Sequence, residues 1–109
     1  MHPKIREKIQ KKILEKAGKQ DKYFAQLLQN SPAKFCRKDL IRLAHLVGID
    51  KNTLLRFFGY GSCKRTHQLQ PHNEQAIANF LGYASYDKLV ETLMIEHTLE
   101  MLLFTLKNL

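Results

Sequence analysis

Tryptophan is absent from the 109 residues, and there are only two cysteines, three prolines and five glycines. Two cysteines cannot make a disulfide scaffold, so the fold has to be held by an apolar core. Long greasy runs are missing too. The longest such stretch, Met101 to Leu106, is far short of the ~20 residues that span a bilayer. The opening MHPKIREKIQKK carries the charge of a secretory n-region, but no apolar h-region or small-residue cleavage site follows it. A soluble cytoplasmic protein with reduced thiols and no membrane partner is expected.

Catalytic patterns are also lacking. The sequence has no glycine-rich phosphate loop and no GxSxG, and its carboxylates are mostly spaced along helices as solvating charges. Cys63, His67 and His72, with Cys36 and His45 elsewhere, are residue types that zinc accepts. They lack the close cysteine pair of a structural site. No enzyme, metal or cofactor is expected.

What is present is enough apolar residue, 44%, for one all-α domain. A chain of this size should bury roughly two-thirds of its unfolded surface. Eighteen basic against ten acidic side chains leave +8. This charge is uneven: residues 1–70 hold 16 Lys and Arg against 5 Asp and Glu, +11, whereas residues 71–109 hold 2 against 5, −3. A one-signed surface steers a polyanion to one side of a molecule, which makes nucleic acid the first candidate partner.

The elements follow from periodicity. Ile5, Ile9, Ile13 and Ala17 recur every fourth position between Pro3 and Gly18, predicting an amphipathic helix that Gly18 ends. Beside this stripe runs another, Lys4, Lys8, Lys12 and Lys16, whose like charges at i,i+4 suit either solvent or an anionic partner. Asp21 can cap a short helix carrying Tyr23, Phe24, Leu27 and Leu28, which Asn30, Ser31 and Pro32 should end. From Asp39, Leu40, Leu43, Ala44 and Val47 share one face, and Gly48 supplies a left-handed stop. Ile49 lies at the bend and Asp50 is a good cap for KNTLLRFF, which turns Leu54, Phe57 and Phe58 inward and ends at Gly59.

Two short helices joined by a glycine-containing corner, the second starting polar and basic, form a helix-turn-helix pattern. Through Leu43, Ala44, Gly48, Ile49, Thr53, Leu54 and Arg56 the chain resembles the lambda-repressor-like family, the Cro and phage-repressor type. The similarity continues into AIANFLGY, residues 76–83, and then ASYDKL with Ser85 as a cap, covering roughly Tyr23 to Met94. The loop from Gly59 to Pro71 is long for this family. The basic N-terminal helix lies outside its usual domain.

Family resemblance implies that the second helix of the motif reads duplex DNA from the major groove. The base-reading positions then fall on Lys51, Asn52 and Arg56, with Leu55 outward and able to touch a thymine methyl. Lysine or arginine can pair with guanine and asparagine with adenine. Arg37, Lys38 and Arg42 before that helix, and Lys64 and Arg65 after it, are expected to hold phosphates, with Thr53, Ser62 and Thr66 as further donors. A sequence-specific transcriptional regulator is the first expectation. The alternatives are a protein-protein interaction module on the same scaffold and a non-specific nucleic-acid binder.

Toward the C-terminus, Ile95, Leu99, Leu102, Leu106 and Leu109 step by four, three, four and three, which is a short heptad seam. Either the isoleucine stripe of the N-terminal helix covers it, or a homodimer does. A two-fold dimer would present two reading helices to half-sites about 34 Å apart.

Overall fold

A computed structural model describes residues 3–30, 36–60 and 69–108. Among the described residues there are six helices and no strand: α1 (Pro3–Gln20), α2 (Lys22–Asn30), α3 (Arg37–Val47), α4 (Lys51–Phe57), α5 (Pro71–Leu81) and α6 (Tyr86–Lys107). The fold is all-α, and no described helix is long and apolar enough to cross a membrane.

The N-terminal helix is the largest departure from expectation. Its stripe is buried, with Ile5 at 1% exposure and Ile9, Ile13 and Ala17 at 0%. These side chains share one core with Phe24, Leu43, Leu54, Ile77 and Leu89, and α1 touches α2, α3, α5 and α6. Far from being an appendage, α1 is the element around which the others pack. Fully burying each isoleucine contributes about 1.5 to 3 kcal/mol.

Gly18 does not stop α1, which continues to Gln20. A Cβ at Gly18 would stand 2.8 Å from Leu28 Cδ1, so the glycine leaves room for the Leu28 side chain to pack against α1. The reversal comes at Asp21, whose carboxylate accepts from the Tyr23 amide at 3.0 Å.

Helix α3 begins two residues before Asp39. Cys36 is the N-cap, and Asp39, in the third position of the helix, returns its carboxylate to the Cys36 amide at 3.0 Å, closing a capping box. Asp39 is 5% exposed and also accepts from the Cys36 thiol and the Tyr23 hydroxyl. Burial alone would raise its carboxyl pKa. These hydrogen bonds together outweigh burial and hold the pKa below the ordinary 3.8.

Pro71 opens α5 as its first residue, and Gly82 ends it after the AIANFL stretch. Ser85 caps α6 by accepting from the Lys88 amide at 3.2 Å. Tyr86 is buried at the start of α6. Burial, then the nearby Glu74 carboxylate, pushes its hydroxyl up to about 12.

Candidate nucleic-acid interface

The corner between α3 and α4 is a tight glycine turn. Gly48 takes φ 86°, its amide donates to the Ala44 carbonyl at 2.9 Å, and Ile49 donates to the same carbonyl at 3.1 Å. Only glycine adopts this left-handed conformation without strain, so the chain can end α3 and turn within three residues. Ile49 then plugs the bend at 9% exposure. Asp50 restarts the helix, its carboxylate accepting from the amides of Asn52 and Thr53 at 3.0 and 3.3 Å.

Helix α4 is seven residues long and buries Leu54, Leu55 and Phe57. Leu55 is 7% exposed, which corrects its placement on the outward surface: it packs in the core and is not available to a thymine methyl. Phe58, expected inside, is half-buried and meets the Phe57 ring edge-on with centroids 6.0 Å apart. The reason is helical geometry. At about 100° per residue, positions 54, 55, 57 and 58 span an arc of about 160°, so Leu55 belongs to the inward face and the outward strip lies opposite it.

That strip contains Asn52 and Arg56, one turn apart on the same side. Lys51 begins the helix above Leu55. All three of these residues are exposed and Thr53 is half-buried. The far end of α4 is held by α1. Arg6 donates from Nη2 to the Arg56 carbonyl at 2.7 Å and from Nε to the Phe57 carbonyl at 3.0 Å, and Gln10 donates to the latter at 2.8 Å. A short helix leaves its last carbonyls unpaired, so these donors from outside stabilise its end. Nothing in the one-dimensional pattern of α1 marks Arg6 and Gln10 for this task.

Arg37 and Lys38 are exposed in the first turn of α3. Arg42 is engaged differently. Its guanidinium meets the Asp21 carboxylate at 3.0 and 3.3 Å and lies 4.6 Å from the centre of the Tyr23 ring. The Arg42 hydrogen bonds pull the Asp21 pKa below its ordinary value, and the pairing offsets the charge that Arg42 would bring to a phosphate. Lys64 and Arg65, with Ser62 and Thr66, lie outside the described residues, as do the ligand-type residues Cys63 and His67.

Beside α3, Asp21, Tyr23, Lys38, Ile41, Arg42 and His45 line an open groove of about 550 Å³. Among the described residues, no three metal-ligating side chains cluster. No family model matches the chain, and no curated protein or solved structure does.

Proposed function

We propose that this chain is a sequence-specific double-stranded DNA-binding protein, a transcriptional regulator of the lambda-repressor-like helix-turn-helix type that acts by occupying its site. The observation that carries the reading is the exposure of Lys51, Asn52 and Arg56 on a helix that buries Leu54, Leu55 and Phe57, directly after a glycine corner. Arg56 and Lys51 can donate to guanine O6 and N7, and Asn52 can pair with adenine N6 and N7, each good pair discriminating by about 1 to 3 kcal/mol. Arg37 and Lys38 set register on phosphates. Arg42 contributes less, because Asp21 already holds it.

The charge distribution supports the same assignment. The +11 half contains α1 to α4, so the reading helix sits in the basic part of the chain. Reading of this kind needs no cofactor and no catalysis.

One observation favours a second reading, a protein-interaction module: the groove beside α3 mixes exposed Ile41 with Lys38 and Arg42, a surface that can take a peptide. Anisotropy titration with mixed duplexes at two ionic strengths separates the two. DNA binding gives a steep salt dependence, about 0.9 in log-log slope per neutralised phosphate. The interaction module gives little binding at either salt. A third outcome, tight binding indifferent to sequence, identifies a non-specific nucleic-acid binder.

A further inference from the structure

The C-terminal half of α6 leaves a large apolar surface uncovered. Ile95, Leu99, Leu102 and Leu106 are between 55% and 65% exposed. The α1 stripe does not cover them, because Ile5, Ile9 and Ile13 are used up in the core. Where α1 does meet this part of α6, it does so through Lys8, whose ammonium lies 2.7 Å from Glu100 Oε1.

Helical geometry explains the division. Tyr86, Leu89 and Leu93 are the buried residues of α6, and Glu100 continues their stripe. At about 100° per residue, the line through Ile95, Leu99, Leu102 and Leu106 lies nearly half a turn away. The seam therefore points away from the chain's own body, and a partner can reach it unobstructed.

Its size and spacing indicate what that partner is. Eight large apolar side chains between Met94 and Leu106 stand 49% to 66% exposed. Four of them, Ile95, Leu99, Leu102 and Leu106, form the seam; at roughly 200 Å² each when fully exposed, they present on the order of 450 Å², the size of patch that is often functional on a monomer and over half of the ~800 Å² each partner contributes to a standard interface, while the other four lie on the flanks and the far side of the helix. The steps of four, three and four read the same in both directions, so the seam matches a reversed copy of itself.

Charge fixes the orientation. In a parallel pair, Glu91 of one copy would face Glu96 of the other across the seam, twice. In an antiparallel pair aligned on the seam, Lys107 of one copy falls within a turn of Glu96 of the other.

We propose that a second copy of this chain covers the α6 seam, forming an antiparallel two-fold homodimer through Ile95, Leu99, Leu102 and Leu106. This assembly is independent of what α4 binds. Sedimentation of the full chain should give about 25 kDa, twice the 12.7 kDa of one copy. Leu99→Glu with Leu102→Glu should halve that mass while leaving the circular dichroism of the helices unchanged, because both positions are exposed. Met101→Glu, on another face of the helix, should leave the dimer intact.

Orientation is tested by cross-linking in a Cys36→Ser, Cys63→Ser background. Ile95→Cys mixed with Leu106→Cys should form the mixed disulfide in preference to either self-disulfide. A monomer at every concentration overturns the proposal, including one whose seam partitions onto phosphatidylglycerol vesicles. A dimer indifferent to the Leu99 and Leu102 changes, or preferential self-disulfides, overturns it as well.

Discussion

Arg6 and Phe57 meet twice: Nε of Arg6 donates to the Phe57 carbonyl at 3.0 Å, and the guanidinium carbon stands 5.2 Å from the centre of the Phe57 ring. Through this pair the first helix of the chain holds the end of the fourth. The side chain thus joins the basic N-terminal segment to the candidate reading helix.

Arg6→Ala should therefore weaken both stability and DNA affinity. Lost hydrogen bonds to a charged donor and a lost cation–π contact amount to about 1 to 3 kcal/mol. The melting temperature should fall by roughly 4 to 8 °C per kcal/mol. Thermal unfolding followed by circular dichroism measures this, and a titration below the lowered midpoint measures affinity. An unchanged midpoint would mean that α4 does not depend on α1.

Gly48→Ala tests the corner. Nothing lies within 4 Å of a Cβ at that position, so the penalty is conformational: φ 86° in a residue with a side chain costs about 1 to 2 kcal/mol. Asparagine tolerates the left-handed region better, and Gly48→Asn should lose less. Equal losses for the two would point to crowding instead of backbone conformation.

Acid should destabilise the start of α3. The pKa of Asp39 is lowered in the folded chain, so its contribution is fully present above its ordinary 3.8 and is lost as pH falls through the folded value. Asp39→Asn should flatten the stability curve below about pH 4 and remove about 1 to 3 kcal/mol at neutral pH, since the capping box and a buried charge-assisted hydrogen bond go together. Urea titrations at pH 3 and pH 7 on both proteins make the comparison.

Base reading and phosphate holding should separate on mutation. Arg56→Ala is expected to lose discrimination among duplexes, with affinity for mixed sequence falling little. Lys38→Ala should weaken all duplexes alike and reduce the salt slope by about 1. Identical effects of both changes on every duplex would contradict the division of roles.

Much of this arrangement was legible in the sequence wherever a local rule acts alone. Asp50, Ser85 and Gly48 announce their helix ends, because a cap or a left-handed glycine needs only its own neighbours. The sequence points to Asp39 as the start of α3, whereas Asp39 is the third position of a capping box whose cap is a cysteine, a residue type that does not advertise that role. Leu55 was misplaced because a seven-residue helix is too short for periodicity to divide its circumference, and only the neighbours packed around α4 decide. The four-residue stripe of α1 was recognised, but not its destination, since the pattern shows that a face is buried without showing against what. Lys51, Asn52 and Arg56 are singled out in the sequence by the family resemblance, and all three are exposed on α4.

The central claim is that α4 reads duplex sequence. Selection of bound duplexes from a random pool by the full chain tests it most directly. A recovered motif whose guanine or adenine preferences weaken in Arg56→Ala and Asn52→Ala is the predicted result. A pool that remains random after repeated rounds, with binding unaffected by those two changes, would contradict it.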